Sequence, residues 1–249
     1  MGACHIQYAL LLSLLGFVPC SDTLTCNKGI MVKLGSNFAK APIEWKTLGT
    51  IESAPNEICQ ETVLLVDIGE KSLILASKSL SNPGDIQSKN TQVFSSGPGL
   101  VAASYAHFCD TELCNNAEST SVLLDSLSVK APSKLGTTKC PVCLQFQGSC
   151  SQHITFVFCP ADTHCYISDM TVEGGGLKAT FSVDGCLVTS SKTLLKNQTS
   201  VGIFSIVEVS DINSTNSLSH VLVPGTLLAW TLGLLALLSP LCTGICPLG

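Results

Sequence analysis

Apolar and polar positions divide the chain into three zones. Residues 1–21 carry no charged side chain and hold a mainly apolar core at 8–18. After Asp211 there is again no Lys, Arg, Asp or Glu, and 221–241 is mainly apolar. Between these ends the pattern is one of β-strands: short runs rich in Val, Ile, Thr and Phe, broken by glycine turns. The clearest run occurs twice. Cys59 is followed over 21 positions to Leu80, and Cys165 over 21 positions to Cys186. Each copy predicts two strands around a turn, at Ile68-Gly69-Glu70 in the first and Gly174-Gly175-Gly176 in the second. The chain therefore holds a divergent internal repeat of mainly β structure.

The two ends predict processing. The 8–18 core has signal-peptide length, with Val18 and Cys20 at the −3 and −1 places for cleavage before Ser21, although the n-region lacks Lys and Arg. A transmembrane helix needs about 20 apolar residues and is usually followed by basic residues. Nothing basic follows 221–241, and Pro224, Gly225, Gly233 and Pro240 punctuate it. Small polar residues at 210–220 precede this tail. That order is the signal for a glycosylphosphatidylinositol anchor. A single span with no cytoplasmic part is the competing reading. The anchor reading expects 1–20 and 221–249 to be removed, with 210–220 as attachment region and spacer. Asn213, Ser214, Asn216 and Ser217 are the candidates for attachment. The protein is then expected on the outer leaflet of the plasma membrane.

That location changes the meaning of the cysteines. Cys4, Cys20, Cys242 and Cys246 leave with the ends, and ten of the 14 remain. An even number in an oxidising compartment reads as a disulfide framework. Cys140-Pro-Val-Cys143 has the spacing of a redox dithiol, or of half of a zinc site completed by His164 and Cys165. Such zinc sites are mostly intracellular, and a thioredoxin-like dithiol needs a βαβ context that is missing here. The repeat bears on the pairing. Cys186 matches Leu80, and Cys159, six residues before its anchoring cysteine, matches Ser53. Two cysteines absent together from copy one suggest a Cys159–Cys186 bond in copy two. Cys26 and Cys59 then correspond to Cys140 and Cys165, while Cys109–Cys114 and Cys143–Cys150 close small loops particular to each copy. Six cysteines alone allow 15 pairings; the repeat favours this one.

Composition excludes several functions. Charged residues are 12% of the chain, and all 13 basic residues are lysine. Bidentate phosphate or base recognition by arginine is therefore unavailable, and a net charge of −5 without a basic patch argues against nucleic acid. No nucleophile, metalloprotease or phosphate-loop motif occurs, and His107, His153, His164 and His220 lie in no recognisable motif. No catalytic residue, metal or cofactor is expected. Asp67, Glu70, Asp169 and Glu173 lie near the hairpin turns, where solvated turn residues outweigh acid–base or calcium chemistry. Phe38 and Trp45 lie between Cys26 and Cys59, as binding anchors or as core packing. Asn197-Gln-Thr199 and Asn213-Ser-Thr215 are glycosylation sequons, the second overlapping the attachment region.

Cys109-Asp-Thr-Glu-Leu-Cys114-Asn115 resembles the closing Cys-x-x-x-x-Cys-Asn of the lymphocyte-antigen-6/urokinase-receptor family, whose domains are disulfide-bonded three-finger, snake-toxin-like folds. The opening MGACHIQYALL, CQETVLL at 59–65, ILASKS at 74–79, PGLVAASY at 98–105, KCPVC at 139–143 and the glycines of 174–176 are similar to a germ-cell branch of that family. The family's disulfide order is the one that the repeat favours. The resemblance implies two such domains, at 24–116 and 139–209, joined by a linker at 117–138. Domains of this size bury too little apolar surface to stand alone, and cross-links make up the deficit. Two departures stand out. Positions 53 and 80 lack a bond, and the second domain lacks a terminal Cys-Asn, with Lys192 and Ser210 where a further bonded pair is found in that branch. Its third finger is therefore expected to be loose. The implied function is protein binding on male germ cells or sperm, assisting surface proteins needed for fertilisation, with other cell-surface or secreted proteins as partners. The alternatives are a soluble two-domain inhibitor of the phospholipase-inhibitor kind and a receptor for a secreted ligand.

Overall fold

The computed structural model describes residues 23–82, 88–131, 134–150 and 155–210. The first repeat supplies β1 (Thr25–Gly35), β2 (Gly49–Glu52), β3 (Ile58–Asp67), β4 (Ser72–Ser81), β5 (Ser88–Ser96) and β6 (Val101–Cys109). A helical turn α1 (Ser121–Leu124) follows. The second supplies β7 (Leu135–Phe146), β8 (Thr155–Pro160), β9 (Thr163–Gly174), β10 (Leu177–Val188), β11 (Ser200–Val201) and β12 (Phe204–Ser210). Each set forms one six-stranded antiparallel sheet. The orders are β2-β1-β4-β3-β6-β5 and β11-β12-β9-β10-β7-β8, the same plan of three hairpins in both. The central hairpins share a register: Cys59 faces Leu80, and Cys165 faces Cys186. Their turns differ. Asp67 faces Ser72 across four residues, whereas Gly174 faces Leu177 across Gly175 and Gly176, both with positive φ. Two consecutive positive-φ positions suit a tight hairpin whose twist matches its strands.

The disulfides are Cys26–Cys59, Cys109–Cys114, Cys140–Cys165, Cys143–Cys150 and Cys159–Cys186. At the unbonded position of copy one, the Ser53 hydroxyl accepts from the Leu24 N–H at 2.9 Å, and the Ser53 N–H donates to the Leu24 carbonyl at 2.8 Å.

The two sheets lie in one compact unit and share a core. Leu64, Val66, Leu73 and Leu75 of the first sheet pack against Tyr166, Met170, Val172, Phe181 and Val183 of the second. Fingertip backbone seals the contact. The Ser77 hydroxyl donates to the Gly175 carbonyl at 2.8 Å, the Ile203 N–H to the Thr62 hydroxyl at 3.2 Å, and the Leu100 N–H to the Cys186 carbonyl at 2.8 Å.

The other face of the first sheet holds a second core of Met31, Val63, Leu65, Ile74, Ala76, Ala103 and Tyr105. Trp45, Ala117 and Leu123 lie in it, and Phe38, Ile43, Val122, Leu124 and Leu127 pack against it. Residues 117–127, part of the expected linker, thus close the first domain's core. β3 is accordingly buried on both faces, from Cys59 to Asp67. β9 instead alternates, with Tyr166, Ser168, Met170 and Val172 inside and Ile167 and Asp169 outside. The third finger of the second domain, expected to be loose, is a paired element. β12 pairs with β9 over Ser205–Ser210, and Phe204 and Ile206 sit in the shared core. Burying such side chains stabilises by about 1.5–3 kcal/mol each, comparable to one absent cross-link.

Candidate binding surface

Asn115, the last residue of the Cys-Asn motif, is fully buried and acts as a clamp. Its Oδ1 accepts from the Asn27 N–H at 2.8 Å, and its Nδ2 donates to the carbonyls of Asn27 at 2.8 Å and Gln60 at 2.9 Å. An amide side chain is the one group that offers both halves of a peptide bond in this way. It fastens the segment after Cys114 to β1 and β3.

Beside it, the buried Glu61 gathers four groups. Oε1 accepts from the Tyr105 hydroxyl at 2.9 Å and lies 3.3 Å from His107 Nδ1. Oε2 accepts from the Ala117 N–H at 2.9 Å and lies 4.0 Å from Lys78 Nζ. Lys78 donates to the Ala117 carbonyl at 2.5 Å, with Nζ 4.7 Å from the Trp45 ring centroid. Burial lowers the Lys78 pKa, against the opposing pull of Glu61 and Glu118. Burial and then Glu61 raise that of Tyr105. The cluster ties 115–118 to the sheet and offers no nucleophile to solvent.

Trp45 is 1% exposed and belongs to the core, so it is no surface anchor. Phe38 is half-buried against the same core; its ring lies where a Cβ on Gly35 would sit, 2.4 Å from the nearest ring carbon. A cleft of about 770 Å³ opens beside Trp45, between 42–47 and 116–119.

The turn carboxylates do not converge. Asp67 is buried and organises its own hairpin, accepting from the Gly69 N–H and the Ser72 hydroxyl, each at 2.6 Å. Glu173 pairs with Lys178 at 3.4 Å in solvent, and Asp169 accepts from the Ser182 hydroxyl at 2.5 Å. Glu70 is exposed. His107 joins Glu61, and His164 lies on β9 opposite Leu187. His153, His220, Asn213 and the anchor candidates Ser214, Asn216 and Ser217 lie outside the described residues. Asn197 is exposed in a turn at φ 60°, its Oδ1 accepting from the Thr193 hydroxyl at 3.2 Å. The sulfurs of Cys140, Cys159 and Cys186 lie within 4.8 Å of one another, but all three are in disulfides and supply no thiolate to a metal.

Three fingertips are consumed inside the molecule: the tip at Gly97–Leu100, and those at Gly175 and Gly202. The central strands of sheet one, β3 and β4, are covered on both faces, whereas Ile30, Val32 and Leu34 of β1 are partly exposed. The outer face of sheet two is open. It presents Ile167, Val207 and Val209, at 41%, 57% and 61% exposure, around Asp169. Behind them lies Asp184, 5% exposed, whose pKa is pushed up to about 6 by burial and then by Asp169. A groove of about 410 Å³ runs from 147–149 across Asp169, Thr171, Thr180 and Ser182. Alternation along β9 and β12 was the available signal.

Two stacked sheets of three hairpins, pinned by disulfides near one end, define a tandem three-finger protein. The chain belongs to the u-PAR/Ly-6 family: that domain matches residues 136–217, and testis-expressed protein 101 of Mus musculus is 35% identical over 219 residues, 86% of each chain. CD177 antigen of Mus musculus is 44% identical over 239 residues, 92% of this chain but 29% of that protein. The chain thus spans under a third of that relative. Ly6/PLAUR domain-containing protein 4 of Bos taurus is 31% identical over 197 residues, 75% of this chain and 78% of the other. A crystal structure of mouse TEX101 is similar at a TM-score of 0.64 and 32% identity, covering 75% of this chain and 97% of that one.

Proposed function

We propose that this chain is a lipid-anchored surface glycoprotein of male germ cells that binds other proteins, assisting surface proteins needed for fertilisation. The similarity to testis-expressed protein 101 along most of both chains carries this reading. The dispersal of titratable groups among structural contacts supports binding over catalysis. The small polar stretch before the uncharged apolar tail supports the anchor, and the exposed turn at Asn197 suits glycosylation.

Two measurements test it. Phosphatidylinositol-specific phospholipase C should release the protein from cells, with attachment within 213–217. Retention after treatment, together with survival of a tag placed after Gly249, would refute the anchor. Mild reduction should abolish capture of protein partners before it changes solubility, because disulfides hold the fingers. Capture by the fully reduced chain would refute a folded binding surface.

A further inference from the structure

The internal repeat allows one sheet face to be compared with its counterpart. Cys59 and Cys165 align, and the registers carry the match across each sheet. Val63, Leu65, Ile74 and Ala76 of sheet one then correspond to Asp169, Thr171, Thr180 and Ser182 of sheet two. Ala103 and Tyr105, facing Leu65 and Val63, correspond to Val207 and Val209, facing Thr171 and Asp169. Lys78 corresponds to Asp184. In sheet one this face lies under Trp45, Leu123 and the segments carrying them. In sheet two it has become polar and acidic at its centre while keeping aliphatic side chains on β9 and β12.

The segment that covers sheet one follows β6. Its counterpart after β12 lies outside the described residues. Lys178, in alternation with Thr180, Ser182 and Asp184, shares this face but pairs with Glu173. Among the described residues the ion pairs are Lys46–Glu44, Lys78–Glu61, His107–Glu61 and Lys178–Glu173, and none reaches Asp169 or Asp184. Burial, and then the neighbouring carboxylate of Asp169, raise the Asp184 pKa.

We propose that the outer face of the second sheet docks an extended segment of a partner protein that presents a basic side chain between aliphatic ones. The basic group meets Asp169 at the groove beside 147–149, with the charge of Asp184 behind it, and the aliphatic groups cover Ile167, Val207 and Val209. Arginine suits the site: its planar guanidinium matches a carboxylate, and this chain contains none of its own. The inference rests on the reading of the chain as a protein-binding module and locates the contact.

The test uses full-length protein with intact disulfides and a fluorescent heptapeptide, Thr-Val-Thr-Arg-Thr-Val-Thr, whose Val, Arg and Val share one face when extended. Anisotropy at low salt should show it binding about tenfold more tightly than the version with Gln for Arg, and the version with Glu should not bind. Asp169→Asn should erase the preference for Arg over Gln. Val207→Ser with Val209→Ser, both exposed positions, should weaken the Arg and Gln peptides alike. Equal binding of the Arg and Gln peptides, or an unchanged preference in Asp169→Asn, overturns the proposal. So does a dimer that the double serine variant dissociates, because the face would then receive a second copy. Partner capture that survives Asp169→Asn while still depending on disulfides would overturn this surface and leave the binding-module reading standing.

Discussion

At the residue scale, buried polar groups in this chain are positioned by what they hold. Asn115 and Glu61 each bind backbone of the segment that closes the first core. Asp184 differs: it is a carboxylate beneath a face that offers another carboxylate, Asp169, and the disulfide-bonded Cys143 across the register. Its pKa, raised from 3.8 to about 6, means that between those values the folded chain holds a proton that the unfolded chain has released. Stability therefore falls as pH rises through that window, and above it the buried charge is a standing penalty. Asp184→Asn should raise stability at pH 7.5 by roughly 1 kcal/mol, after allowing for solvent screening near Asp169, or a few degrees in Tm. Below pH 4 the gain should vanish. Thermal melts at both values check this, and an equal shift at the two would show that charge burial is not the cause.

At the element scale, the central hairpins were legible because cysteine, glycine and strand residues recur at one spacing, Cys59 to Leu80 and Cys165 to Cys186. Sidedness was legible too: the unbroken Val63-Leu64-Leu65-Val66 belongs to a strand covered on both faces, and the alternation from Tyr166 to Val172 to one covered on a single face. Residues 117–127 were harder. Serines dilute their apolar positions, so a lid looks like a link, and Trp45 could not be placed until that lid was known. The third finger of the second domain is held by the burial of Phe204 and Ile206, which a missing cross-link does not reveal. The repeat also predicts an engineered bond. Ser53→Cys with Leu80→Cys occupies the places of Cys159 and Cys186, and closing a 28-residue loop should add about 3–4 kcal/mol on the chain-entropy model. Loss of the hydrogen bond from Leu24 to the Ser53 hydroxyl takes back about 1 kcal/mol. Peptide mapping and melting of the double variant decide the matter; free thiols at both positions would break the alignment of the two repeats.

At the scale of the whole molecule, two domains that each bury little share one core, and glycine backbone makes the join. No hydrophobic pattern announces such a contact, because the groups in it are main-chain atoms and the absence of side chains. A Cβ on Gly175 would lie 2.2 Å from Ser77 Oγ, and one on Gly202 2.3 Å from Thr62 Oγ1 and 2.9 Å from Ala106 Cβ. Both glycines also have positive φ, 56° and 54°, which alanine tolerates poorly. Gly202→Ala therefore strains its own turn and pushes the sheets apart where the Ile203 N–H bonds to the Thr62 hydroxyl. The wild-type chain should melt in one calorimetric transition, because the shared core couples the sheets. Gly202→Ala should lower that Tm by several degrees, in keeping with about 2 kcal/mol or more of strain and lost packing. The drop should be common to both halves, read through hydrogen exchange of β3 in one and β9 in the other. Two separate transitions in the wild type, or a loss of protection confined to β9 and β12 in the variant, would mean that the domains are stable independently and that the shared core contributes little.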